Sequence, residues 1–141
     1  MSYQLAEQVY ASGFKPTYMA ALWRGGTPVG VRVQEYLAIK EIKMDHIAPR
    51  TSRYTGIDKT SVDILVHGIG HLTRQMRHDD SLLIVDDVFD TGNTLVAFLG
   101  ALQERMGRNL PLKENIKIAT VYYKPSRNET ELKPHYFVEE T

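Results

Sequence analysis

Residues 81–94 read Ser81-Leu82-Leu83-Ile84-Val85-Asp86-Asp87-Val88-Phe89-Asp90-Thr91-Gly92-Asn93-Thr94. The apolar run from Leu82 to Val85 suits a strand covered on both faces, since successive side chains point to opposite sides and neither set is polar. Leu95, Val96, Phe98, Leu99 and Leu102 then recur at helical spacing. The stretch therefore predicts a buried strand, a turn and a helix. In an open parallel sheet such a turn lies at the carboxyl edge, where ligands bind, and the helix-opening amides between Asp90 and Thr94 point at an anion. Gly92 lets the backbone turn tightly, and Thr91 and Thr94 add hydroxyl donors, so phosphate is the expected anion. Adjacent acids at a strand end face opposite sides. At least one of Asp86 and Asp87 should then face the crevice, where it can hold sugar hydroxyls or a hydrated magnesium ion. Phosphate, diol and metal together point to a phosphorylated sugar. The plainer alternative, a helix capped by Asp90 beside two solvated acids, leaves three carboxylates crowded without a counter-charge.

Three further stretches are weaker signals on their own. Met19 to Trp23 is a short apolar strand ending in Arg24-Gly25-Gly26, which alone reads as an ordinary tight turn. Arg50 to Thr60 is polar, lacks periodicity and joins two strand-like runs, so it reads as a long loop, either functional or simply solvated. Ile116 to Lys124 alternates, becomes apolar and is followed by Pro125; by itself Lys124 is a surface charge.

The remaining pattern alternates helix and strand. A helix runs from about Tyr3 to Ala11 and ends before Gly13, and Pro28 opens a second with Val29, Val33, Tyr36 and Leu37 on one face. Ile39 to Ile47 and Val62 to His67 read as strands, His71 to Met76 as a short helix, residues 94–106 as the helix behind the turn, and residues 107–115 as a polar surface connection. This predicts an α/β fold, a central mainly parallel twisted sheet flanked by helices. His67 and His71 stand four apart, but Gly68 and Gly70 interrupt any helix that would pair them on a metal.

With 141 residues, the chain has interior enough for one domain of that kind. Its 17 basic and 17 acidic residues give no general attraction to nucleic acid or to an anionic membrane, so a small molecule is the expected partner. Cysteine is absent, which excludes disulfides and thiolate metal sites. No apolar N-terminal segment is present, and a cytoplasmic location is the expectation.

The 81–94 block closely resembles the phosphoribosyl-diphosphate-binding signature of the type I phosphoribosyltransferases, in which two acids, two apolar residues and an acid-Thr-Gly-x-Thr loop follow a buried strand. The resemblance extends in order over nearly the whole chain and implies a single domain, 1–141. It implies that Asp90, Thr91, Gly92, Asn93 and Thr94 hold the 5-phosphate of phosphoribosyl diphosphate, while Asp86 and Asp87 meet the ribose hydroxyls and a Mg2+ ion. Asn93 stands where relatives often have glycine. Arg24, Gly25 and Gly26 match the family's diphosphate loop, whose arginine suits a two-pronged contact, and relatives often carry a cis peptide there, here near Trp23-Arg24. Ser52 and Tyr54 resemble a Ser-Tyr pair on a mobile loop that closes over the reacting centre and excludes water.

Among type I enzymes, those acting on 6-oxopurines are most similar, because they place a lysine, commonly followed by proline, after the next strand. Lys124 would donate to the purine O6, which an ammonium can do for hypoxanthine, guanine or xanthine but not for the amino group of adenine. Asp90 is implied as the catalytic proton acceptor at the purine N7. The implied function is purine salvage: transfer of the phosphoribosyl group to a purine base with release of diphosphate. Relatives continue into a small hood whose aromatic residue stacks on the base; this sequence stops at Thr141, so its hood is expected to be incomplete. The rival from another class is a non-catalytic sensor of phosphoribosyl diphosphate or nucleotide, with an orotate or adenine transferase weaker still. Dimers are common among relatives, but no residue here establishes a homodimer.

Overall fold

The computed structural model describes residues 1–55 and 62–141. The decisive apolar run lies in a strand, β5 (Leu82–Phe89) in chain order. Leu82 and Ile84 enter one hydrophobic core and Leu83 and Val85 another, all four with no exposed surface. A strand buried on both faces needs helices on both, and the chain supplies them. One layer holds α1 (Ser2–Ala11) and α2 (Gly26–Ile39), whose Leu5, Val9, Val33 and Leu37 pack with Met19, Leu83 and Val85. The opposite layer holds α3 (Gly70–Gln75) and α4 (Asn93–Met106), whose Leu72, Leu95, Phe98 and Leu102 pack with Ile84 and Ile118.

The other strands are β1 (Tyr18–Ala21), β2 (Asp45–Ile47), β3 (Arg50–Thr55), β4 (Val62–His67), β6 (Ile116–Tyr123) and β7 (Tyr136–Glu140). Five form one sheet in the order β2-β1-β5-β6-β7, and every pairing in it is parallel. From β1 the chain steps outward to β2, then returns to the other side of β1 to lay down β5. The order thus reverses between β1 and β5, and the loops leaving these two strands open a crevice at the carboxyl edge.

Three expectations are corrected. Ile39 does not begin a strand: it is the last residue of α2 and largely exposed, and only Asp45–Ile47 pair with β1. The polar run from Arg50 is no loop as far as Thr55, because β3 pairs antiparallel with β4 in a separate two-stranded sheet. Residues 56–60 of that expected loop lie outside the described residues. The second helix starts at Gly26 rather than Pro28, and Pro28 falls within its first turn, where an amide has no helical acceptor to lose. Among the described residues no helix is long and apolar enough to cross a membrane.

Candidate active site

Three adjacent strands deliver the site. After β1, the Leu22 N–H donates to the Val85 carbonyl at 2.9 Å, so this loop is pinned against the end of β5. Trp23 N–H donates to the Pro49 carbonyl at 2.8 Å, and the Trp23–Arg24 peptide is cis, where the family resemblance places one. Close approach explains the two glycines that follow. A Cβ on Gly26 would lie 2.5 Å from the Val85 carbonyl oxygen and 2.9 Å from the Asp86 Cα, and a Cβ on Gly25 would lie 2.6 Å from the Asp87 carboxyl atoms. Arg24 is exposed at the rim.

After β5, the chain turns at Gly92, whose φ of +87° makes it the left-handed residue before α4. The first helical bond runs from Val96 N–H to the Gly92 carbonyl at 3.0 Å. Among the described residues the amides of Gly92, Thr94 and Leu95 have no acceptor, as an anion-binding helix start requires. Asp90 is not the cap; its carboxylate accepts from Arg127 Nε at 2.6 Å instead. A cavity of about 210 Å³ opens here, lined by Asp86, Asp90, Thr91, Gly92 and Thr94.

The acid pair behaves as alternation in a strand dictates. Asp86 continues the Leu82–Ile84 side and lines this cavity, whereas Asp87 continues the Leu83–Val85 side and meets Gly25. Burial, with the neighbouring Asp87 carboxylate, pushes the Asp86 carboxyl up to about 8. Among the described residues no cation pairs with either acid. An acid so placed fits a divalent cation, because the positive charge that would ionise it is missing from the protein itself.

After β6, the Lys124 N–H donates to the Phe89 carbonyl at 2.9 Å, which sets Lys124 beside the start of the phosphate turn. The segment that follows straps this turn. Besides the Arg127–Asp90 pair, Glu129 N–H donates to the Thr91 carbonyl at 2.9 Å and Asn93 Nδ2 donates to Glu129 Oε2 at 2.8 Å. Position 93, where relatives often have glycine, is thus tied to the strap by its side chain.

The fold agrees with that of known proteins. The family model for the phosphoribosyl transferase domain matches residues 3–141. The chain belongs to that family. Solved phosphoribosyltransferase structures share its fold. A purine phosphoribosyltransferase from Pyrococcus horikoshii is 28% identical with a TM-score of 0.73, over 99% of this chain and 80% of that one. A hypoxanthine phosphoribosyltransferase from Staphylococcus aureus is 18% identical with a TM-score of 0.71, over 99% and 72%. A Neisseria gonorrhoeae protein of undefined function, solved with bound ppGpp, is 18% identical with a TM-score of 0.77, over 99% and 76%. No curated protein sequence matches the chain.

Of the residues expected at a phosphoribosyltransferase site, the fold gathers Arg24, Gly25, Gly26, Asp86, Asp87, Asp90 to Thr94 and Lys124 at one sheet edge. Ser52 and Tyr54 lie on β3, with their backbones paired to Leu65 and Asp63. The hairpin starts next to the diphosphate-type loop, since Trp23 and Arg50 form a parallel bridge. His71 Nε2 meets Asp45 Oδ2 at 2.7 Å. Sequence reading missed Arg127, Glu129 and the fully buried Thr120, whose hydroxyl has no partner among the described residues although β6 register sets it beside Asp86. Only Pro125, which ends the strand and starts the strap, signalled that segment.

Proposed function

We propose that this chain transfers the 5-phosphoribosyl group from phosphoribosyl diphosphate to a 6-oxopurine base, giving the nucleoside monophosphate and diphosphate in the cytoplasm. One observation supports the reading: the turn at Gly92, the acid pair and Lys124 lie at the same carboxyl edge of the neighbouring strands β5 and β6, with Asp86 lining the cavity at the turn and the Lys124 N–H bonded to the Phe89 carbonyl. The 28% identity to a protein described as a purine phosphoribosyltransferase supports the purine class.

In this reading the amides of Gly92, Thr94 and Leu95, with the hydroxyls of Thr91 and Thr94, hold the 5-phosphate against the start of α4. Asp86 and Asp87 would hold the ribose hydroxyls and Mg2+, and the ion, when bound, would neutralise diphosphate charge. A purine ring nitrogen attacks the anomeric carbon as its bond to the diphosphate oxygen breaks. Arg24 and the Gly25 and Gly26 amides receive the negative charge that leaves. Asp90 takes the proton the base releases at N7, and Lys124 donates to O6, selecting hypoxanthine, guanine or xanthine over adenine.

The test is turnover with labelled phosphoribosyl diphosphate, Mg2+ and each of hypoxanthine, guanine, xanthine, adenine and orotate. Nucleotide formed from the oxopurines supports the reading, and nucleotide from adenine or orotate alone overturns it. A second reading, a sensor that binds donor or nucleotide without turnover, has one contact in its favour: Arg127 Nε donates to one oxygen of the Asp90 carboxylate. Donor binding without turnover on any base would establish that second reading.

A further inference from the structure

A second cavity lies away from the phosphate turn. It is a groove of about 910 Å³ at the other end of α4 and β6, against about 210 Å³ for the turn. Ile118 is the lining residue of β6 nearest Lys124, so the strand separates the groove from Lys124 by roughly 20 Å at strand spacing. Its volume falls in the range of small-molecule sites, about 300–1,000 Å³.

The groove has an apolar floor and a cationic rim. Leu99, Ile116, Ile118 and Leu132 make the floor, and the buried prolines Pro111 and Pro134 make stiff walls. Around them stand Arg108, Lys113 and Lys133 against a single carboxylate, Glu131. That local excess of two positive charges occurs in a chain whose formal net charge is zero. His135 also lines the groove. Its Nδ1 accepts from the Ile118 N–H at 2.9 Å, so the neutral ring carries its proton on Nε2, as a further donor.

Gly100 adds an independent observation. Glycine inside a helix costs about 0.5–1 kcal/mol relative to alanine, and packing usually explains it. Gly30 in α2 has such an explanation, since a Cβ there would lie 2.5 Å from the Ala21 Cβ. A Cβ on Gly100 would meet nothing within 4 Å. Gly100 is exposed, and the space its missing side chain leaves open adjoins the groove it lines.

We propose that this groove is a second ligand site, binding a small amphipathic anion: an apolar ring system or chain that bears one acidic group. The floor takes the apolar body and the Arg108, Lys113 and Lys133 rim takes the acid. Such a site stands apart from the phosphoribosyl chemistry, and its failure would leave that reading untouched.

The probe is 8-anilinonaphthalene-1-sulfonate, titrated into the intact 15N-labelled chain and followed by amide shifts. The expected result is saturable binding with shifts in residues 99–103, 107–118 and 131–135, and none at Asp86–Thr94. Gly100→Phe should weaken binding at least tenfold without lowering the melting temperature, and an Arg108→Glu, Lys133→Glu double variant should weaken it similarly. The uncharged N-phenyl-1-naphthylamine should bind at least tenfold more weakly. Non-saturable binding, shifts elsewhere, equal affinity for the uncharged probe, or indifference to both variants would each overturn the proposal. Sedimentation showing self-association that buries the groove would assign it to a second copy of the chain instead.

Discussion

Gly26→Ala tests how the β1 and β5 loops are held together. The added Cβ would sit 2.5 Å from the Val85 carbonyl oxygen and 2.9 Å from the Asp86 Cα, about 0.9 Å inside ordinary contact with the former. Both obstacles are backbone of a strand paired on both sides, so neither gives way as a side-chain tip would. Overpacking of this kind costs about 1–3 kcal/mol, and alanine's better helix propensity offsets at most about 1. The net loss should be about 1–2 kcal/mol, or about 3–6 °C in melting temperature for a chain of this size. The loop must also back away from β5, carrying Arg24 with it, and a displacement near 1 Å at a reacting centre costs about 100-fold in rate. Thermal melts and kcat/KM for nucleotide formation measure the two effects. Gly100→Ala is the control of opposite sign, since its Cβ meets nothing and the helix gains about 1 kcal/mol. A Gly26→Ala protein as stable and as active as the parent would refute the close-approach argument.

Four other outcomes follow from the same geometry. Asp86 holds its proton up to about pH 8 in the folded empty protein but only to about 4 when unfolded. Unfolding therefore releases a proton between those values, and stability should fall as pH rises from about 4 to 8, by a few kcal/mol at most; urea melts should show Asp86→Asn flattening that slope, and parallel slopes would contradict it. Gly92→Ala should lose roughly 2 kcal/mol and donor affinity together, because φ is +87° and the Cβ would lie 2.6 Å from Thr130 Oγ1; unchanged melts and donor titrations would contradict this. Asp90→Asn should slow nucleotide formation far more than it weakens donor binding, and equal losses would remove Asp90 as proton acceptor. Lys124→Ala should lower kcat/KM for hypoxanthine and guanine by at least about tenfold, the worth of one charged hydrogen bond; unchanged base use would remove the O6 contact.

What the sequence made legible is the part governed by short-range rules. Leu82 to Val85 divide between two cores as strand alternation requires, and the same alternation sends Asp86 and Asp87 to opposite sides. Gly92 takes the left-handed turn that a phosphate loop needs. The errors lie where tertiary context decides. Ile39 looks like the start of a strand because it is apolar, yet it ends α2 in solvent. Arg50 to Thr55 looks like a loop because it is polar, but its backbone pairs with β4 in a hairpin outside the main sheet, a partnership set by the strand it meets and not by its own pattern. The strap from Lys124 to Thr130 is held by contacts at sequence separations of 35 to 38, such as Arg127 with Asp90, which no local pattern encodes. Residues 107–115, read as an ordinary polar connection, help build the groove of about 910 Å³. Neither the charge of its rim nor the space above Gly100 is visible until α4 and β6 are packed.

The claim on which the account rests is that the carboxyl edge of β1, β5 and β6 is the donor site. A crystal structure of the chain with phosphoribosyl diphosphate and Mg2+ tests it directly. The account predicts the 5-phosphate on the amides between Gly92 and Leu95, the ribose hydroxyls on Asp86 and Asp87, and the diphosphate against Arg24 and Gly25. A donor seated anywhere else, or held with its phosphate away from the start of α4, would contradict it.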